Sequence, residues 1–433
     1  MKLRSSKEFF GTPKLPGDKS ISHRCLMLSA LAHGVSEFQN MSEALDVIST
    51  EKLLMDLGVE ISRNETHVRV NSSGRLKAPI KSLNCGNAGT LMRLMMGVLS
   101  AQDFSSELIG DESLQQRPMK RVLEPLAQMG AKIKLRDNQF APVKISPSNL
   151  QGITYDLKVA SAQVKSAILL AALYAEGRTV ISGKIESRDH TERLLKYFGA
   201  DIDVGDNSIS LHGRQMLHNN SYRIPNDISA ASFWIAAGIL AERSEVFLEN
   251  VGVNPTRMGF VNVLLKAGAR IRTENIEITP EPVANLTVKS SQLKAFDICE
   301  NEVASLVDEV PLLVLLATQA EGVSRINGVG ELRYKESDRI KATVDAIEAL
   351  GGHVFVEDDT IIVPGRQKLR PGVVESYHDH RIAMMAAVAK YCVEGVIEIN
   401  DFDCVRISDP YFEDQISGKS LLGYVREQLS ELL

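Results

Sequence analysis

No stretch of this sequence approaches the roughly 18 to 20 consecutive apolar residues that a membrane-spanning helix needs. The opening MKLRSSKEFFGTPKL lacks the apolar centre of a signal peptide, so a cytoplasmic protein with no membrane partner is expected. Cysteine is scarce. Cys25, Cys85, Cys299, Cys392 and Cys404 are scattered, odd in number and form no C-x-x-C pair, which argues for reduced thiols and against a structural zinc site. Basic charge is not in excess: 49 Lys and Arg against 55 Asp and Glu give a net charge of −6, so a nucleic-acid partner held by a broad basic surface is not expected. Cations must act locally. Aromatics are few, and the one Trp, Trp234, sits in a helix-like apolar run where core packing is the expected role. Low-complexity stretches and long linkers are missing too; Gly11–Gly17, Asn71–Pro79, Asp203–Arg214 and Pro364–Gly372 read as connections between units.

What is present is repetition. Six times, at intervals of 68 to 80 residues, a helix-like run of small apolar residues is followed by an alternating strand. The runs are Ser22–Ala32, Thr90–Ser100, Ala162–Ala175, Ala230–Ala241, Val310–Ala320 and Arg381–Val393. The strands are Val35–Phe38, Ser105–Ile109, Thr179–Ser182, Ser244–Leu248, Val323–Ile326 and Val396–Asn400. A second repeat interleaves with the first: an amphipathic helix, a glycine, then the start of a strand, around Gly58, Gly130, Gly199, Gly268 and Gly351. A glycine fixed after each apolar face is a helix-stop signature, because it adopts the left-handed conformation at little steric cost. The sixth copy would be Tyr411–Leu432, where the pattern is degenerate. Self-similarity at a steady period means one supersecondary unit copied in tandem.

The helix starts carry unusual charge. A helix N-terminus holds about half a positive elementary charge, so a cation in its first turn costs on the order of 0.3 to 1 kcal/mol. Arg24, Arg93, Arg117, Arg339 and Arg381 are all expected within the first turn or so of a helix, beside backbone amides that already favour anions. One such arginine is ordinarily solvated or paired with a surface carboxylate. Five in comparable positions of copied units point to a ligand rich in phosphate and carboxylate. Asp308-Glu309 precedes an apolar helix and reads equally as an acidic cap or as chemistry. Lys335-Glu336-Ser337-Asp338-Arg339 holds more charge than a cap requires, with Ser337 or Asp338 as the capping candidate.

Three familiar motifs do not fit. Gly17-Asp18-Lys19-Ser20 has Asp18 between its glycine and lysine, with Gly11 out of register, so it is not a nucleotide phosphate loop. His378-Asp379-His380 has no third His or Cys at a recognisable spacing, and no metal is expected. No G-x-S-x-G elbow is present.

With these residues assembled, the chain resembles the 5-enolpyruvylshikimate-3-phosphate synthase (3-phosphoshikimate 1-carboxyvinyltransferase) branch of the enolpyruvyl transferase family over nearly its whole length. The likeness rests on eight blocks in the family order: LPGDKSISHR (Leu15–Arg24), GNAGTLMR (Gly86–Arg93), GDESLQQRPM (Gly110–Met119), VASAQVKSAILLA (Val159–Ala171), SRDHTERLL (Ser187–Leu195), DEVP (Asp308–Pro311), RYKESDRI (Arg333–Ile340) and DHRIAM (Asp379–Met384).

The resemblance implies an α/β fold, a two-domain inverse α/β barrel built from six repeated βαβαββ units, three per domain. One domain would span 18–225, the other 1–17 with 226–433, joined by a hinge near 17–18 and 225–226. It implies transfer of the enolpyruvyl group of phosphoenolpyruvate to the 5-hydroxyl of shikimate 3-phosphate, releasing phosphate, in the shikimate pathway of aromatic amino acid biosynthesis. By motif, Ser20, Arg24, Ser161, Gln163, Arg188, Asp308 and Lys335 would hold shikimate 3-phosphate. Lys19, Gly89, Arg117, Gln163, Arg339, His380 and Arg381 would hold phosphoenolpyruvate, with Thr90 and Arg93 shaping the same loop. Asp308 would take the hydroxyl proton, Glu336 would protonate the methylene carbon, and Lys19 would assist phosphate departure. No cofactor and no metal are implied, and a monomer is expected.

The chain departs from the family pattern in two places. Ser161-Ala162-Gln163 stands where many members read Ser-Ser-Gln, which removes one hydroxyl. Ile407 stands where some carry a lysine, with Arg406 beside it. The alternative, a UDP-N-acetylglucosamine enolpyruvyl transferase, usually has a cysteine in the loop that is Asp111–Gln116 here and an asparagine where Ser20 stands; this chain has neither.

Overall fold

The computed structural model describes residues 1–418. The portion of the predicted sixth copy beyond residue 418 lies outside the described residues. The chain forms two compact units, Gly17–Ile224 in one, and Met1–Pro16 with the chain from Pro225 onward in the other.

Each unit contains three inner helices: Lys19–Leu31, Gly89–Leu99 and Ala162–Ala172 in the first, and Ile228–Leu240, Val310–Gln319 and His380–Val388 in the second. These are the apolar runs of the sequence, and they bury nearly every residue instead of one stripe, as helices enclosed on all sides must. Five further helices, Leu45–Asp56, Lys120–Gln128, His190–Tyr197, Gly259–Lys266 and Arg339–Ala349, bury one face only. The expected glycines terminate all five. Gly58, Gly130, Gly199, Gly268 and Gly351 have φ between 72° and 97°, a region where a side chain would clash with the backbone.

The sheets repeat as the helices do. In the second copy the order is Leu83–Asn84, Ser106–Ile109, Phe140–Ser146, Lys132–Arg136, with the first pair parallel and the other two antiparallel. The third and fifth copies repeat that arrangement with Thr154–Leu157, Arg178–Gly183, Ser208–His212 and Ile202–Val204, and with Asp297–Ile298, Val323–Ile326, Thr360–Pro364 and Phe355–Glu357. Copies at the ends of a unit borrow strands from elsewhere in the chain. Leu217–His218 and Tyr222–Arg223 both pair in parallel with Ala32–Gln39, and Glu8–Gly11 pairs in parallel with Arg243–Gly252. In the last copy, Lys2–Arg4 runs antiparallel to Val396–Ile399 and completes a three-stranded sheet with Val373–Val374.

Each unit has its own apolar core around its inner helices. Trp234 is fully buried in one of them, stacked on Phe9 and tilted against Phe412. This arrangement leaves the N-termini of the inner helices as the places where polar side chains gather.

Candidate active site

In the unit Gly17–Ile224, the start of the first inner helix is set by Asp18, whose carboxylate accepts from the Ile21 N–H at 2.8 Å. That cap begins the helix at Lys19, three residues before the apolar run. Arg24 therefore falls in the second turn, not the first, and its buried guanidinium reaches back to donate to the Ser20 carbonyl at 2.9 Å. Its Nε donates to Thr191 Oγ1 at 2.7 Å and its Nη2 to Ser166 Oγ at 2.9 Å. Lys19 pairs with Asp46 at 3.0 Å. His23, between these two cations in sequence, is pushed well below the ordinary histidine range by burial, then by Lys19 and Arg24.

The second inner helix opens at Gly89. A Cβ placed there would lie 3.3 Å from Arg93 Nη1 and 3.5 Å from Arg117 Nη1, so two guanidinium groups lie close to one helix N-terminus. Arg93 donates to Gln163 Oε1 at 2.6 Å, and Gln163 Nε2 donates to Thr90 Oγ1 at 3.0 Å. Arg117 donates to Asn87 Oδ1 at 2.6 Å and Ser113 Oγ at 3.1 Å. Amides, two forks and a glycine make an anion cradle in physical terms. Ser161 caps the third inner helix, accepting from Val164 N–H at 3.4 Å. Arg188 sits half-buried just before the helix His190–Tyr197.

Sequence reasoning missed what lies beneath these residues. Lys165, one turn into the third inner helix, is buried with Glu192 at 2.7 Å. Its ammonium also donates to the carbonyls of Ile185 at 3.0 Å and Ser187 at 3.2 Å, anchoring the loop that ends at Arg188. A lysine inside the mostly apolar AQVKSAILLA run was the available signal.

In the other unit, Arg339 is a hub. Its Nε donates to Asp379 at 2.8 Å, its Nη1 to Asp308 at 3.2 Å and its Nη2 to Glu336 at 2.5 Å. Burial alone would lower its pKa, but Asp379, Glu336 and Asp308 together outweigh that and hold it above the ordinary arginine value. Lys335 lies 3.9 Å from Asp308; burial pushes its ammonium down despite that carboxylate. Asp338 is the cap of the helix Arg339–Ala349, accepting from Lys341 N–H, while Ser337 donates to Asp379 at 3.0 Å. Asp379 is fully buried and also caps the inner helix His380–Val388 through the Arg381 N–H at 2.9 Å. Neither the sequence motif nor its spacing had singled out Asp379 as the residue joining the two helix starts.

Glu309 holds the N-cap position before Val310–Gln319 but makes no side-chain cap bond; its carboxylate accepts a hydrogen bond from Ser229 Oγ at 2.5 Å. Arg381 is buried and loosely held. Its nearest described acceptors are the Ser229 carbonyl at 3.5 Å and Glu309 at 3.8 Å, and its Nε has no hydrogen-bond partner among the described residues. A buried guanidinium with an unspent donor has capacity for an added anion. His380, the first residue of the same helix, is also buried.

Two expectations need correction. Only Arg339 and Arg381, the first and second residues of their helices, stand in the first turn. Arg24 and Arg93 are in second turns, because the helices begin at Lys19 and Gly89. Arg117 is not helical at all: it has φ −84° and ψ 133° after the short turn Leu114–Gln116, the extended form that a following proline imposes. Arg406 is exposed and lies 3.4 Å from Glu413.

Asp409, three residues beyond Arg406, is fully buried, and its Oδ2 has no hydrogen-bond partner among the described residues. Burial first, and then the charge of Asp227, push its pKa up to about 7, against backbone donation from Tyr411 and Phe412. The folded state thus keeps a proton that the unfolded chain releases near pH 4. Stability from this group is greatest below that pH and falls as pH rises to about 7. Asp409→Asn is expected to gain stability over the unsubstituted protein between pH 4.5 and 8, read as the difference in melting temperature. A difference that is the same at both pH values would contradict a proton held at Asp409.

The family model described as EPSP synthase (3-phosphoshikimate 1-carboxyvinyltransferase) matches residues 3–416. The chain is 45% identical over 408 residues to the 3-phosphoshikimate 1-carboxyvinyltransferase of Petrotoga mobilis, covering 92% of this chain and 94% of that protein. It is 42% identical over 419 residues to that of Bacillus cytotoxicus, covering 96% and 99%. Among solved structures, an EPSP synthase from Acinetobacter baumannii matches with a TM-score of 0.85 at 40% identity, covering 96% of this chain and 97% of that one. The enolpyruvyl transferase NikO from Streptomyces tendae shares the fold, with a TM-score of 0.77 at 16% identity over 98% of this chain and 97% of its own.

Proposed function

Because the chain belongs to the EPSP synthase (3-phosphoshikimate 1-carboxyvinyltransferase) family, we propose that it transfers the enolpyruvyl group of phosphoenolpyruvate to the 5-hydroxyl of shikimate 3-phosphate and releases phosphate. The UDP-N-acetylglucosamine alternative is not favoured, since the relatives at 42–45% identity carry the shikimate name.

The reaction adds an alcohol across an enol double bond and then reverses the addition with a different leaving group. In the first step the hydroxyl oxygen bonds to C2 of phosphoenolpyruvate, its proton goes to a base, and C3 gains a proton to become a methyl group. In the second step the C2–O bond to phosphate breaks, the methyl group returns a proton, and the double bond re-forms in the product ether. In our reading Asp308 takes the hydroxyl proton, Glu336 delivers one to C3, and Lys19 assists the departing phosphate as a cationic acid. Phosphoenolpyruvate is held by Lys19, Gly89, Arg117, Gln163, Arg339, His380 and Arg381. Shikimate 3-phosphate is held by Ser20, Arg24, Ser161, Gln163, Arg188, Asp308 and Lys335. The observation that carries this reading is the convergence of Asp308 and Glu336 on one buried guanidinium, at 3.2 and 2.5 Å from Arg339. A shared guanidinium holds both carboxylates in place to exchange protons with bound substrate.

The chain acts in the cytoplasm as a monomer in this reading. Free thiols at all five cysteines support a reducing compartment. No helix among the described residues is long and apolar enough to cross a membrane.

Incubation with both substrates is expected to yield an acceptor heavier by one enolpyruvyl group in the mass spectrum. An unmodified acceptor at full substrate concentrations would reject the proposal. Gly89→Ala tests the cradle. Its Cβ would meet Arg93 Nη1 at 3.3 Å and touch Arg117 Nη1 at an ordinary contact distance of 3.5 Å, so the KM for phosphoenolpyruvate is expected to rise about threefold, with the KM for shikimate 3-phosphate little changed. Equal rises in both would mean that the cradle serves some other end.

A further inference from the structure

Beside Arg381 lie a hydroxyl and a carboxylate that the reaction above does not use. Ser229 is the second residue of the inner helix Ile228–Leu240, Glu309 ends the short turn Val307–Glu309, and Arg257 ends the short turn Pro255–Arg257. All three are buried. Arg257 Nη2 donates to Ser229 Oγ at 2.6 Å, and Ser229 Oγ donates to Glu309 Oε1 at 2.5 Å. The direction of this chain is forced. A guanidinium has donors and no acceptor, so the hydroxyl receives Arg257 in a lone pair and spends its own proton on Glu309. The backbone is pinned as well, since the Ser229 N–H donates to Asp227 at 2.8 Å.

A buried carboxylate beside a buried guanidinium ordinarily closes into a short, two-pronged pair. Here it does not. Glu309 Oε1, the oxygen that receives the Ser229 proton, stays 3.8 Å from Arg381 Nη1, and Arg381 Nε is left without a hydrogen-bond partner among the described residues. We infer that Ser229 is a positioning residue whose hydroxyl, oriented by Arg257, tethers Glu309 off Arg381 and so keeps that guanidinium's Nε donor unspent for the anionic substrate. The inference rests on the reading that Arg381 binds phosphoenolpyruvate.

Removing the hydroxyl releases Glu309 to close on Arg381. In steady-state kinetics Ser229→Ala is expected to raise the KM for phosphoenolpyruvate on the order of tenfold, a single hydrogen bond's contribution. The KM for shikimate 3-phosphate and kcat should stay within about twofold, the pattern of a lost positioning effect on one ligand. Adding Glu309→Gln should reverse the rise, because a neutral amide has no ionic reason to seize the guanidinium; Ser229→Thr, which keeps a hydroxyl, should retain the original value. A merely structural role for Ser229 would be worsened by the second substitution. An unchanged KM in Ser229→Ala, or a rise that persists in the double variant, would overturn the inference. Failure of the functional reading shows separately, as absence of turnover in the unsubstituted protein. The crystal structure of Ser229→Ala then decides: a short two-pronged Glu309–Arg381 pair upholds the tether, and a retained gap overturns it.

Discussion

Asp308→Ala is expected to lower kcat by roughly 10²- to 10⁴-fold, the usual contribution of a positioned proton acceptor, with the KM for phosphoenolpyruvate little changed and a smaller rise in that for shikimate 3-phosphate, which Asp308 also holds in this reading. The geometry separates this residue from structural duty. The cap position of the following helix belongs to Glu309, not to Asp308. Arg339 keeps its bonds to Asp379 and Glu336 when Asp308 is lost, so its guanidinium remains in place. Asp308→Asn should fall as far, since an amide of the same shape cannot take the hydroxyl proton. Near-normal turnover in either variant would remove Asp308 from the mechanism, and a loss confined to KM would make it a binding group only.

Lys165→Met is expected to destabilise the unit Gly17–Ile224 by about 3 to 5 kcal/mol, because it strands a buried carboxylate. Lys165 and Glu192 are each nearly inaccessible, 1% and 2% exposed, and 2.7 Å apart. The ammonium also holds the carbonyls of Ile185 and Ser187, so the Arg188 loop should loosen with it. Pairing the change with Glu192→Leu removes the stranded charge, and most of the loss should return, since a buried ion pair replaced on both sides by apolar groups is often close to neutral. Urea unfolding midpoints of the two variants give the comparison. A single variant as stable as the unsubstituted protein, or a double variant no better than the single, would show that the pair carries no such weight.

The fold was legible because its signals are local and repeated. Six apolar runs became six inner helices, and five glycines stopped the five outer ones at positive φ. Helix starts were less legible. Asp18 caps one turn earlier than the apolar pattern suggests, which moved Arg24 out of the first turn, and Pro118 kept Arg117 extended. The partners of the site residues were least legible of all. Asp46 and Glu192 come from the second helix of the same copy as Lys19 and Lys165, and Thr191 comes from a different copy than Arg24, and nothing in local spacing announces contacts that only the packing of helices creates. Asp379 was visible inside its motif, but its grip on Arg339 depends on how two helix starts meet.

The central claim is that polar groups at these helix starts perform enolpyruvyl transfer to shikimate 3-phosphate. Phosphate release, followed continuously with phosphoenolpyruvate and either shikimate 3-phosphate or UDP-N-acetylglucosamine as acceptor, tests it most directly. Release is expected with shikimate 3-phosphate alone, in step with consumption of the acceptor. Release with only the nucleotide sugar, or with neither acceptor, would contradict it.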